Sequence, residues 1–158
     1  WDRFALDFAG GGHLRMRDPR RLGGVSLDPD EEVLGPDALT LTLRQLRDSL
    51  GASTAPLKAR LMDQRRVAGL GNLLTDEILW RAGLDPQRPA RSLGEDEVRR
   101  LHRHIRAGLD RLWERGGSHT GDLQVERRRG GVCPKDGTAL SRRTIGGRTT
   151  YSCPLHQV

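Results

Sequence analysis

Phe4, Leu6 and Phe8 alternate with polar or small residues, Gly10-Gly11-Gly12 interrupts them, and Leu14 and Met16 resume the alternation. This period of two around a glycine turn predicts a β-hairpin. Asp18-Pro19-Arg20-Arg21-Leu22-Gly23 reads as a turn or loop, and Gly24 to Leu27 as a further short strand. Strands this few and short do not bury a core unaided. Residues 28–38, with their acids, Pro29 and Gly35-Pro36, read as a linker.

The period then lengthens. Leu39, Leu43, Leu46 and Leu50 recur at three- and four-residue spacing and predict an amphipathic helix ended by Gly51. Pro56 suits the first turn of a second helix, in which Leu57 and Leu61 face inward and Lys58 and Arg60 are left for solvent or ligand. Val67-Ala68-Gly69-Leu70-Gly71-Asn72 is a glycine-rich turn, with Asn72 as N-cap of a helix that closes at Gly83. Ser92 and Glu95 predict a capping box for a long helix whose inward stripe is Val98, Leu101, Ile105, Leu109 and Leu112, terminated by Gly116-Gly117.

Composition narrows what such a chain does. Its 158 residues, 35% hydrophobic, allow one or two small domains. No apolar run reaches the roughly 18 residues of a membrane span, and both cysteines lie near the end, so a disulfide framework is a poor fit and a reducing cytosol the better one. Twenty-seven Lys and Arg face 21 Asp and Glu, a net charge of +6. Residues 126–148 hold seven basic side chains against two acidic, a clustering that suits a phosphate partner, with a solvated basic surface as the alternative.

Candidate chemistry sits in the same stretch. Cys133-Pro134-Lys135-Asp136 and Cys153-Pro154-Leu155-His156 are two ligand pairs, each with two residues between its members and sixteen residues between the pairs. They read as a metal-pinned β-hairpin. Two cysteines, one histidine and one aspartate make an acceptable tetrahedral zinc set. The alternative is a metal-free hairpin held by Ile145, Tyr151 and its turn glycines. Upstream, the glycines before Asn72 let a backbone approach a phosphate, and the following helix start offers amides aligned with its positive end. A tight helical hairpin whose glycines serve packing alone is the competing account.

The wording of three segments carries a resemblance: Asp18-Pro19-Arg20-Arg21-Leu22-Gly23, the run from Leu57 through Val67-Ala68-Gly69-Leu70-Gly71-Asn72 to Pro86, and the terminal hairpin. Together they resemble the Fpg/Nei family of base-excision repair enzymes, the formamidopyrimidine-DNA glycosylases and endonuclease VIII. The resemblance implies an α+β fold in which residues 1–35 are the late strands of a β-sandwich catalytic domain, 36–123 a helix-two-turn-helix DNA-binding domain, and 124–158 a zinc-finger-like β-hairpin. It implies that Asn72 and Lys58 bind DNA, with Asn72 on the phosphate beside the lesion. Arg148 takes the place of the finger arginine that contacts the lesion phosphates and is linked to δ-elimination. Arg20 would face the orphaned base, and Leu22 would wedge the gap left by the flipped nucleotide. Asp136 and His156 stand where the family has cysteines, so Cys133, Asp136, Cys153 and His156 are the implied ligands of one zinc ion.

The family's amino-terminal proline nucleophile and its neighbouring glutamate have no counterpart in Trp1-Asp2. The chain is therefore expected to be the carboxyl-terminal part of a longer protein, supplying the clamp on damaged duplex DNA for a bifunctional glycosylase and AP lyase. Monomeric action in a bacterial-type cytoplasm, at the nucleoid, follows from the resemblance. A non-catalytic damaged-DNA or nucleic-acid-binding protein is the reading from another class. The short segment 116–123 points away from 8-oxoguanine, leaving oxidised pyrimidines or abasic sites as alternatives.

Overall fold

The computed structural model describes residues 1–21 and 23–158, which divide into two compact units, Trp1–Glu31 and Glu32–Val158. In the first unit β1 (Asp2–Asp7) pairs antiparallel with β2 (His13–Arg17), Phe4 opposite Met16 and Leu6 opposite Leu14. The connecting turn takes positive φ at Gly11 and Gly12, a backbone region that suits glycine. Gly24 to Leu27 does not form the expected third strand, and Val25 and Leu27 are exposed. The loop is arrested earlier: the Asp18 carboxylate accepts from the amides of Arg20 (3.1 Å) and Gly23 (2.6 Å). Aspartate commonly closes turns in this way.

The second unit is built on four helices, α1 (Leu43–Leu50), α2 (Leu57–Met62), α3 (Asn72–Ala82) and α4 (Glu95–Glu114). Leu39 lies outside α1 and is exposed, because Thr42 caps the helix: its Oγ1 accepts from the Gln45 amide, and Gln45 reaches back to the Thr42 amide. Leu41, just before the cap, is buried instead. Leu57 and Leu61 of α2, Ile78 and Leu79 of α3, and Leu101 and Ile105 of α4 share one core. Gly108 allows a close approach of α4 to α3, since a Cβ there would stand 3.2 Å from Ile78 Cγ1.

The cap of α4 also differs from the capping box expected at Ser92 and Glu95. Gly94 is the N-cap and Glu97 Oε2 accepts from its amide at 2.9 Å, while Ser92 Oγ is spent on the Pro89 carbonyl. Arg88 decides this by holding the same Glu97 carboxylate through both terminal nitrogens, at 2.7 and 2.9 Å.

The chain ends in a hairpin, β3 (Ser141–Ile145) with β4 (Arg148–Ser152). Gly146 and Gly147 turn it with φ of 57° and 73°, the two positive values of a type I′ turn. A Cβ on Gly146 would come within 3.0 Å of the Ala59 side chain, so the tip of the hairpin rests on α2. At its other end Trp80 of α3 packs with Leu123, Cys133 and Cys153. Among the described residues no helix is long and apolar enough to cross a membrane.

Candidate nucleic-acid interface and metal centre

α3 begins at Asn72, so this residue is the first of the helix and Gly71 is the N-cap, a shift of one from the sequence expectation. The Asn72 side chain is half-buried and its Oδ1 is shut from solvent without a hydrogen-bond partner among the described residues. An unpaired buried amide oxygen costs roughly 1–3 kcal/mol. The first turn of α3 adds amides that no residue of its own helix satisfies.

One turn along α3 from Asn72, on the same face, lies Asp76. It is buried, and so is Lys58 of α2, whose Nζ stands 2.7 Å from Asp76 Oδ1. Arg127 closes the group from the other side, with Nε at 3.0 Å and Nη2 at 2.7 Å from Asp76 Oδ2, its guanidinium lying over the Tyr151 ring. Burial pulls the Lys58 ammonium below its ordinary range, and the Asp76 carboxylate opposes that pull. The expectation that Lys58 faces solvent or DNA is thus corrected. Its side chain is fully enclosed and also donates to Thr150 Oγ1 (2.7 Å) and the Thr149 carbonyl (3.3 Å). Arg60, expected beside it on the outer face of the helix, donates to the Ser49 carbonyl.

Arg148 opens β4 immediately after the glycine turn and is exposed. Its guanidinium has no hydrogen-bond or ion-pair partner among the described residues, whereas Arg143, on the strand before the turn, is engaged by Asp85 and Ser152. Arg142, with Arg128 and Arg129, lines a groove floored by Leu140 and Tyr151. In the first unit the Arg20 side chain is likewise exposed, on the loop that Asp18 organises. Leu22, the expected wedge, lies outside the described residues.

The four expected metal ligands converge. Cys133 Sγ, Asp136, Cys153 Sγ and His156 each offer one ligand atom, all within 4.8 Å of one another. His156 Nδ1 stands 3.0 Å from Asp136 Oδ2 and 3.5 Å from Cys133 Sγ, and Cys153 Sγ stands 3.3 Å from Asp136 Oδ2. A tetrahedral ion with bonds of about 2.0–2.3 Å spaces its ligands roughly 3.3–3.8 Å apart, so the donors fit a zinc-sized cation. The outer contacts suit it too: His156 Nε2 lies 3.0 Å from the Trp80 carbonyl, which leaves Nδ1 turned inward, and Trp80 Nε1 donates to Cys133 Sγ at 3.3 Å. Hydrogen bonds from Thr138, then His156 and Cys153, hold the Asp136 carboxyl well below the usual range. Burial pushes the Cys153 thiol up, a shift that a cation would reverse.

Asp76 and Trp80 lie in the run that carries the resemblance but were given no role there, and Arg127 and Thr150 belong to no motif singled out in the sequence. The available signal is an acid flanked by Leu74, Ile78 and Leu79 on α3, a helix buried on nearly every side, since such an acid needs a cationic partner.

A helix, a glycine-rich turn, a free helix start and a basic hairpin over a four-donor metal set thus lie together in the second unit. The model of the formamidopyrimidine-DNA glycosylase H2TH domain matches residues 34–123. The chain belongs to the formamidopyrimidine-DNA glycosylase family. It is 39% identical over 170 residues to the formamidopyrimidine-DNA glycosylase of Thermus thermophilus, a match covering 91% of this chain and 64% of that protein. With the corresponding protein of Chloroflexus aggregans it shares 36% over 177 residues, covering 98% and 64%. The chain thus spans just under two thirds of the length of these relatives. The crystal structure of MutM (Fpg) from T. thermophilus superposes with a TM-score of 0.82 at 38% identity, covering 99% of this chain and 68% of that one. A complex of Lactococcus lactis Fpg with DNA containing an abasic site aligns with a TM-score of 0.70 at 30% identity, covering 80% and 52%.

Proposed function

We propose that the chain is the DNA-clamping part of a bifunctional DNA glycosylase and AP lyase, which binds damaged duplex DNA, excises an oxidised base and cleaves the strand by β/δ-elimination. The free start of α3, whose first backbone amides find no acceptor among the described residues and where Asn72 stands first, carries this reading. A phosphate oxygen beside the lesion is a natural acceptor for the side-chain NH2 of Asn72 and for the free amides of the α3 start. Arg148 clamps a second phosphate oxygen pair with its unengaged guanidinium, the fork geometry suited to bidentate contact. Arg20 lies opposite the vacated base. Cys133, Asp136, Cys153 and His156 hold one zinc ion, whose role is to fix the hairpin that presents Arg148. The nucleophile belongs to the part of the family fold that the 64% coverage leaves out. Relatives of known structure include complexes with DNA containing carbocyclic 8-oxo-G, Fapy-dG and an abasic site, which support an oxidised purine or an abasic site over the oxidised pyrimidines that the short 116–123 segment left open. The protein works as a monomer on chromosomal DNA in a bacterial-type cytoplasm.

The test is affinity for a duplex bearing an abasic-site analogue against the same duplex undamaged. Asn72→Ala and Arg148→Ala each lower affinity for the damaged duplex by about tenfold, the scale of one lost charge-assisted hydrogen bond, with melting temperature unchanged. Wild-type affinity in both variants rules out the clamp. Borohydride trapping of the intact gene product on an abasic duplex separates the two classes: a covalent adduct marks the lyase, and tight binding without one marks a non-catalytic damage binder.

A further inference from the structure

We propose that Lys58 and Thr150 are positioning residues for Arg148, acting through a buried hydrogen-bond chain. The inference rests on the reading of Arg148 as a phosphate contact.

An ammonium carries three hydrogens, and the acceptors around Lys58 all lie inside the protein. Asp76 Oδ1 stands 2.7 Å from Nζ as its ion-pair partner, while Thr150 Oγ1 accepts at 2.7 Å and the Thr149 carbonyl at 3.3 Å. Thr150, fully buried, passes its own hydroxyl hydrogen to the Arg148 carbonyl at 3.1 Å. Arg127 approaches the same strand from the opposite side, with Nη2 at 3.4 Å from the Thr149 carbonyl while both Nε and Nη2 hold Asp76. The two carbonyls that open β4 are therefore held by Thr150 itself and by donors from α2 and from the segment after α4, both gathered on one carboxylate of α3. That carboxylate stands one turn from Asn72. A single group thus sets the hairpin relative to the helix start.

The arrangement has a purpose at this position. Arg148 follows two glycines with positive φ, the most permissive backbone in the hairpin, and its side chain is long and unengaged. Freedom left in such a group is lost when it grips a ligand and is subtracted from affinity. Fixing the Arg148 peptide beforehand removes part of that loss. Two cations against one carboxylate also leave the buried group a net charge of +1 beneath the residue that meets a phosphate.

A purely structural network predicts that breaking it weakens the fold and affects DNA binding independently of Arg148. The positioning role predicts dependence on Arg148, which a double-mutant cycle reads directly. With the full chain and a duplex containing an abasic-site analogue, Thr150→Val lowers affinity about threefold, one neutral hydrogen bond's worth. Thr150→Ser restores wild-type affinity, because the hydroxyl remains. Thr150→Val combined with Arg148→Ala binds no more weakly than Arg148→Ala alone. Multiplicative losses in the double variant, or failure of Thr150→Ser to restore binding, overturn the positioning role while leaving the clamp intact. An Arg148→Ala variant that binds like wild type removes the clamp itself, and the positioning role with it. If Thr150→Val does not fold, Thr150→Ala carries the same cycle without the added methyl.

Discussion

Replacing Asp76 by alanine should be among the most damaging single changes in the helical unit, and the structure sets the scale. The carboxylate is buried between two cations, Lys58 at 2.7 Å and Arg127 at 2.7 Å, whose side chains are 0% and 8% exposed. Among the described residues neither cation pairs with another carboxylate, and the Tyr151 amide loses its acceptor as well. Removing one partner of a buried ion pair costs about 3–5 kcal/mol, because the remaining charge stays desolvated and uncompensated. Against a total stability of roughly 5–15 kcal/mol, that is about a fifth of the fold at the least. For a unit of this size it corresponds to a fall in melting temperature of roughly 10–20 °C. Urea unfolding followed by far-UV circular dichroism measures the loss at equilibrium. Asp122→Ala is the internal control: Asp122 pairs with Arg81 and Arg115 at 40% exposure, and surface pairs contribute about 0–1 kcal/mol. If Asp76→Ala loses no more than Asp122→Ala, the buried group is not what joins hairpin and helices.

The metal set predicts about one zinc per chain, read by elemental analysis, with Cys133→Ser or a strong chelator lowering both metal content and melting temperature; full stability in carefully demetallated protein would instead favour a hairpin held by Ile145 and Tyr151 alone. Acid should destabilise the protein through identifiable groups. Arg88 holds the Glu97 carboxyl below its usual range, and Arg115 then Arg81 do the same for Asp122. A depressed folded pKa means that the stabilisation is complete above the unfolded values near about 4 and is lost as pH falls through the folded ones. Glu97→Gln and Asp122→Asn should each flatten the acid limb of melting temperature against pH, and an unaltered limb in both would refute this origin.

The local pattern determined much of this protein. Alternation around glycines marks the β1–β2 hairpin, three- and four-residue spacing marks the stripe of α4, and Gly146-Gly147 marks a turn that demands positive φ. These features depend on neighbours in sequence, so the sequence holds their cause. The four metal donors were legible for a related reason: short two-residue spacings put each pair on one turn, and a single hairpin brings the pairs together.

Where the outcome depended on competition between distant groups, only the tertiary structure decided it. Ser92 and Glu95 make a plausible cap, but Arg88 draws Glu97 into place and Gly94 becomes the start of α4. Gly24 to Leu27 has strand-like residues and, among the described residues, no strand beside it to pair with, since backbone hydrogen bonds require a partner that composition does not supply. Lys58 shows the difference most clearly. On a helix wheel it is a surface cation beside two buried leucines; in the fold, hairpin residues some ninety positions away close over it and Asp76 neutralises it. A charge is buried only when its partners arrive, and those of Lys58 come from two separate segments, α3 and β4. The four metal donors were thus written locally, while the group that joins Lys58, Asp76 and Arg127 exists only once the chain has folded.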